Sequence, residues 1–272
     1  MIRFIYLVQG RAAEMASFNL LLKDRDFVFL TWDAPLDGAI FFPKSTWSEG
    51  RRKLLSEALS GSYDYYIFID GDAVFDVIGL SIFERIVASN LPCAAVPVFP
   101  KTIKYSYGRI GNWQLAYHSD EQFQAIHRSL IERTFFGSPY TSAYDSISWW
   151  YPCALIQNIL LKFFGRSFIQ INCLFVDNAT HGVYTNNFKA NEIDEVLRDF
   201  GCRSSIPLLA NGRGRGFLGF KKWLALDRLM SLLLAIFSPL LFISYDKVRN
   251  FELPSKLSEH FKGQNKNDAN QL

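Results

Sequence analysis

The sequence predicts an α/β domain with a mostly parallel sheet and flanking helices, and three observations predict it. From Ile2 to Phe99, apolar runs of strand length alternate with stretches of helical spacing. Tyr65–Ile69 and Cys93–Phe99 are apolar throughout, as strands covered on both faces are. Asp70-Gly71-Asp72 follows the first of these runs directly, so charge leaves the end of a buried strand.

Taken in order, Ile2–Val8 is a strand followed by Gln9-Gly10-Arg11. Ala12–Lys23 has helical spacing, and Phe27–Trp32 is a second strand closed by Asp33. Thr46-Trp47-Ser48-Glu49 is a capping box, in which hydroxyl and carboxylate each satisfy a helix-terminal N–H. Leu54, Leu55 and Ala58 then share one helical face until Gly61. Tyr65–Ile69 is a strand, Ser81–Ser89 a helix and Cys93–Phe99 another strand. Asp120–Glu132 reads as a helix, with Phe123, Ile126, His127 and Leu130 on its apolar side. His118, Asp120 and Glu121 stand at its start, where acids favour the first turn. Ala154–Phe164 is a helix ended by Gly165, Phe168–Val176 a strand, and Glu192–Phe200 a helix ended by Gly201.

Residues 1–210 form the α/β domain in this reading. Residues 211–249 hold a basic, glycine-rich loop and an apolar helical appendage, and 250–272 a polar tail. Leu229–Tyr245 carries no charge, but as a helix it would be about 26 Å long against a hydrocarbon core of about 30 Å. Pro239 would kink it, and Lys221, Lys222, Arg228, Lys247 and Arg249 flank it. The expectation is a membrane-surface contact through 223–249, in-plane or as a shallow hairpin, with packing in the core and a true span as alternatives.

Composition excludes other classes. Hydrophobic residues at 49% and charged residues at 20% exclude a wholly disordered chain and a multi-span membrane protein. A net charge of +3 is too small to argue for nucleic acid, and the basic residues cluster only around Arg213–Lys222, so none is expected as a partner. Cys93, Cys153, Cys173 and Cys202 have neither zinc nor disulfide spacing and read as free thiols in a reducing compartment. The apolar start lacks a polybasic stretch and a cleavage site, so it reads as a strand and not a signal peptide.

Asp70 and Asp72 carry the sharpest chemistry. A ligand crevice in an open α/β sheet lies outside the carboxyl ends of its strands. Paired carboxylates there repel each other, and a hard divalent cation relieves that repulsion. A plain acidic turn is the bland alternative.

The stretch from Ile2 through Phe75 resembles the nucleotide-binding half of a glycosyltransferase of the GT-A (Rossmann-like) fold. The residues that carry the likeness are Phe42 to Arg51 and Tyr65 to Asp72, with a thinner continuation through Asp145 to Trp150 and His181. The resemblance implies transfer of a sugar from a nucleotide-diphosphate donor to a hydroxyl of a glycan or lipid-linked acceptor, with Mn²⁺ or Mg²⁺. It implies that Asp72 ligates the metal, with Asp70 on the ribose or on the metal through water and His181 a third ligand. It places Asp33 at the base or ribose, Gln9 and Arg11 in the same crevice, Arg51 near the diphosphate or donor sugar, and Arg213 or Arg215 on the leaving diphosphate. Trp149 and Trp150 would form an acceptor platform. Asp145 is the candidate base, with Asp120 and Glu121 in reserve. Such an enzyme is expected in the cytoplasm, peripheral or monotopic at the inner face of the membrane.

The same residues have plainer readings. Asp33 is a turn cap, Arg11 and Arg51 are surface charges, His181 is a turn histidine and the tryptophans are core. Two rival functions remain open. One is a haloacid dehalogenase-like Mg²⁺-dependent phosphatase, in which Asp70 is the nucleophile and Asp72 the acid/base. The other is a non-catalytic, membrane-attached sugar-nucleotide-binding protein.

Overall fold

The computed structural model describes residues 1–99, 111–116, 120–133, 150–178, 233 and 236–244. The first strand, β1, runs Phe4–Gly10. A 3₁₀ turn at Ala12–Glu14 leads into α1, Met15–Leu21, a shorter helix than the spacing predicts. Then follow β2 (Phe27–Thr31), β3 (Ile40–Phe41) and α2 (Trp47–Ala58). The capping box forms as expected: Glu49 N donates to Thr46 Oγ1 at 3.3 Å, and Thr46 N donates to Glu49 Oε2 at 2.8 Å. Strands β4 (Tyr65–Asp70) and β5 (Ala73–Val74) precede α3, Val77–Asn90. This helix begins earlier than its apolar spacing predicts, because Asp76 Oδ1 accepts Gly79 N at 2.6 Å as an N-cap.

The remaining described elements are β6 (Ala94–Val98), β7 (Trp113–Leu115), β8 (Phe123–His127), α4 (Arg128–Arg133), α5 (Trp150–Phe164), β9 (Phe168–Phe175) and β10 (Asp177–Asn178). The strands form an eight-stranded sheet of order β3-β2-β1-β4-β8-β6-β9-β7, with β10 and β5 paired in a separate ribbon. Strand β1 is parallel to both β2 and β4, and β6 is parallel to β9. Strand β8 runs antiparallel between β4 and β6, and β7 closes the edge antiparallel to β9. The fold class is therefore α/β with a mostly parallel sheet, as expected.

The helix expected across 120–132 is a correction. Phe123–His127 is buried along its whole length and pairs with strands on both sides. A strand covered on both faces needs no polar face, so the spacing of Phe123, Ile126 and Leu130 does not decide between strand and helix. Pairing with β4 and β6 decides it, and only Arg128–Arg133 is helical. Asp120 accordingly does not cap a helix. Its Oδ1 accepts Gln122 N at 3.1 Å, a turn leading into β8.

Aromatic rings knit one face of the sheet. Phe18 of α1 lies 5.8 Å from Phe29 and 6.2 Å from Phe75, and Phe123 lies 5.5 Å from Phe75 and 5.3 Å from Phe83 of α3. On the same face Arg25 binds Glu84 through Nε at 2.9 Å, and Glu84 also accepts the buried Tyr6 hydroxyl. Helix α2 covers the opposite face over β1 and β2. Cys93, Cys153 and Cys173 are free thiols, as expected, while Cys202 lies outside the described residues.

Candidate functional site

The chain runs β1 to β2 to β3 in one direction across the sheet, and then places β4 on the other side of β1. The crevice between β1 and β4 is thus the point where strand order reverses, and ligands of open α/β sheets bind at such points. In the parallel register Gln9 of β1 stands beside Asp70 of β4. Just beyond, Gly71 N donates to Gln9 O at 2.8 Å. The backbones meet so closely that a Cβ on Gly71 would lie 2.4 Å from Gly10 Cα, and glycine meets that demand.

A cavity of about 330 Å³ opens there, within the size range of small-molecule sites. The end of β1 and the turn after it contribute Gln9, Arg11 and Glu14, and the end of β4 and the turn after it contribute Asp70, Gly71 and Asp72. Trp32, Ser45 and Trp47 close a second side. Asp120, Glu121 and Gln122, ahead of β8, form the third, with Cys153 of α5 and Asn178 of β10.

The electrostatics are set by burial. Arg51 of α2 donates through Nη2 to Asp70 Oδ1 at 2.9 Å and to the Glu121 carbonyl at 2.5 Å. Trp47 Nε1 donates to the same Asp70 oxygen at 3.3 Å. Burial pushes the Asp70 carboxyl up, Arg51 pulls it back, and the Asp72 charge adds to the rise. Glu121 is pushed well up, by burial first and then by Asp120. Glu14 is also raised by burial, against the Arg11 N–H, which donates to its Oε2 at 2.7 Å. Asp33 is the opposite case: Ala12 N and Ala34 N donate to its Oδ1 at 2.9 and 3.0 Å, and these backbone bonds hold its carboxyl low. Burial keeps the Cys153 thiol protonated, which argues against a nucleophilic role.

Gln9, Arg11, Asp70 and Asp72 therefore come together in one cavity. Asp33 and Arg51 do not line it. Asp33 fastens the end of β2 to the turn after β1, and Arg51 lies beneath the cavity, paired with Asp70. Asp145, His181, Arg213, Arg215, Trp149 and His118 lie outside the described residues, and for Trp150 only the backbone, at the start of α5, is described. Glu14, Trp32, Trp47 and Asn178 were not singled out by the sequence. Trp47 carried a usable signal, since it directly follows the capping Thr46 at the start of a helix. Glu14 carried none beyond an acid in a first turn.

The implied divalent metal has a partial fit. Among the described residues no group of three or more His, Cys, Asp or Glu side chains is arranged to hold a metal ion. The donors at the crevice are nevertheless hard carboxylates, and Mg²⁺ is commonly held by one or two carboxylates with substrate phosphates completing its shell. Asp70 and Asp72 suit that mode, with one oxygen of Asp70 already shared by Arg51 and Trp47.

No protein-family model matches the chain, and no curated protein does. Solved structures are similar to parts of it. A glycosyltransferase involved in glycosylation of the major capsid of PBCV-1 is 10% identical, with 71% of this chain and 98% of that one covered at a TM-score of 0.37. The inositol-1-phosphate CTP transferase from T. maritima is 8% identical over 71% of this chain and 94% of that one, at 0.39. GalNAc-T7, solved with UDP, GalNAc and Mn2+, is 9% identical over 93% of this chain and 59% of that one, at 0.43.

Proposed function

We propose that the chain is a divalent-metal-dependent transferase of nucleotide-diphosphate sugars, and specifically a glycosyltransferase acting on a glycan or lipid-linked hydroxyl. One observation carries this reading. The cavity at the strand-order reversal is lined by Glu14, Asp70, Asp72, Asp120 and Glu121. So acidic a cavity repels a bare diphosphate and accepts one together with a divalent cation.

Asp72, with Asp70 behind it, is the group to hold that cation, which when bound stabilises charge on the departing diphosphate as a Lewis acid. Arg11 is the described cation lining the cavity, and it suits the phosphate oxygens. Gln9 Oε1 is buried without a partner and offers an acceptor to a donor group of the ligand. Trp32, exposed at the end of β2, offers a ring face to a base or sugar. In an inverting transfer the bond from the anomeric carbon to the diphosphate breaks as the acceptor oxygen bonds that carbon. The acceptor proton must then pass to a carboxylate. Glu121 is the described candidate, because its raised carboxyl binds a proton more tightly than an ordinary glutamate. Asp145 is the alternative base.

The phosphatase reading asks Asp70 to attack phosphorus. Its Oδ1 is already engaged by Arg51 and Trp47, which favours a fixed role for Asp70 over attack.

The deciding experiment incubates the full chain with a panel of sugar nucleotides, Mn²⁺ and simple acceptors, and identifies the phosphorus product. A nucleoside diphosphate is expected, and Asp72→Ala is expected to abolish its release with the circular dichroism spectrum unchanged. Pyrophosphate would reassign the protein to nucleotidyl transfer, and inorganic phosphate from phosphomonoesters to the phosphatase class. Nucleotide binding without turnover would make it a binding protein.

A further inference from the structure

A second surface lies across the sheet, at its β7 edge, and it has the wrong polarity for water. Residue 233 and residues 236–241 are helical, and of these Leu233, Ile236, Phe237, Leu240 and Leu241 are all exposed, Leu240 at 78%. Ser238 alone among the described helical residues there is buried. A helix packed on a soluble domain turns its apolar stripe inward and its polar face to water. This one does the reverse.

The segment is nevertheless anchored to the domain. Leu115 N at the sheet edge donates to Ser238 Oγ at 2.7 Å. Arg166 Nε donates to Leu241 O at 2.9 Å, Ile243 N donates back to Arg166 O at 2.8 Å, and Phe242 stacks edge-on to Trp113 at 5.1 Å. The outward leucines are thus held in place by polar ties on the inner side.

Charge identifies the occupant. The exposed Arg85 shares a groove of about 810 Å³ with Ile236 and Pro239, and it is the charged residue among the described residues lining that groove. Arg166, bound to Leu241 and Ile243 at the other end of the segment, is exposed, as is Lys162 four residues before it in sequence. In sequence, Lys221, Lys222, Arg228, Lys247 and Arg249 flank the same stretch. Apolar side chains in the middle and cations at the rim match an anionic bilayer, whose acyl region takes the former and whose headgroups the latter. No helix among the described residues is long and apolar enough to cross a membrane.

We propose that residue 233 and residues 236–241 form a docking surface for an anionic lipid bilayer, independently of what the crevice between β1 and β4 binds. The test is cosedimentation of the full chain with vesicles of phosphatidylcholine alone and of phosphatidylcholine with phosphatidylglycerol, at low and high salt. Pelleting with the anionic vesicles, weakened by salt, is expected. Ile236→Glu with Leu240→Glu should reduce partitioning by about tenfold or more, with the thermal midpoint unchanged because both side chains are exposed. Leu20→Glu, at an exposed leucine of α1, should leave partitioning as it was. The proposal falls if the chain pellets with neither vesicle or if the double variant pellets like the parent. It also falls if light scattering shows a lipid-free dimer that the double variant dissolves, since a second copy then covers the face.

Discussion

Arg51 and Asp70 form an ion pair at 2.9 Å beneath the candidate site, with the arginine side chain 5% exposed and the aspartate 28%. The guanidinium carbon also sits 4.0 Å from the Trp47 ring centre and 5.3 Å from that of Phe68. One buried cation therefore joins α2, β4 and the loop before β8. It divides the two acids of Asp70-Gly71-Asp72 between different tasks. Asp70 is partly neutralised from within the protein, so under the proposed function Asp72 is the principal carboxylate for a cation.

Arg51→Met should cost about 3 kcal/mol, the lower end for removing one partner of a buried pair, because Asp70 retains some solvent. Urea unfolding measures it. Arg51→Met combined with Asp70→Asn should recover at least half of the loss, since the stranded charge is then gone. Strict additivity of the two single losses would show that the pair is not coupled.

The raised carboxyls give stability a pH dependence of definite sign. Asp70, Glu14 and Glu121 all bind protons more tightly in the native state than in the unfolded chain. Their contribution is fully present below the unfolded carboxylate range of about 4 and is lost as pH rises through their native values. Asp33 has a lowered carboxyl, so its contribution is present above that range and lost as pH falls. Urea midpoints followed from about pH 3 to about pH 8 should therefore show Glu14→Gln flattening the decline toward neutrality. Asp33→Asn should instead flatten the acid limb. A Glu14→Gln profile parallel to that of the parent would refute the assignment.

Gly71→Ala tests the close approach of β1 and β4. The added Cβ would lie 2.3 Å from Glu14 Oε2 and 2.4 Å from Gly10 Cα. The carboxylate can swing aside but the backbone cannot, so a loss of about 2 kcal/mol is expected from overpacking. Thermal unfolding measures it, and donor binding should weaken as the two strand ends separate.

The legible parts of the fold were those fixed by local chemistry. Thr46 and Glu49 announced the start of α2, and the unbroken apolar run Tyr65–Ile69 announced a strand covered on both sides. Phe123–His127 was illegible because a strand buried on both faces and a buried helix share one composition, and its identity comes from β4 and β6. The site was half legible for a related reason. Asp70 and Asp72 are contiguous with a strand end, whereas Glu14 and Trp32 reach the cavity from separate segments that only the strand order brings together. The role of Arg51 was hidden because sequence places it on a helix face without saying which way that face looks.

Thr46→Ala should cost about 1 kcal/mol, the usual loss for an N-cap. Helix α2 carries both Trp47 and Arg51, so fraying of its first turn also reaches the cavity. Trp47 fluorescence cannot be isolated among six tryptophans. Hydrogen exchange at the first-turn amides is the direct measurement, and unchanged protection at Glu49 would exclude the capping effect.

Glu121→Gln separates the candidate base from the donor site. The amide keeps the side chain's shape while removing the group that accepts a proton, so kcat should fall by about 10²–10⁴-fold with the KM for donor little changed. The parent's rate should rise with pH through a limb above the ordinary glutamate range, because burial and the Asp120 charge hold the Glu121 carboxyl up. That limb should vanish in the variant. Asp120→Asn should move the limb to lower pH by removing a like charge, with a smaller loss of rate. A Glu121→Gln enzyme that keeps both its rate and its pH limb would transfer the base role away from this loop, and Asp145→Asn is then the variant to make.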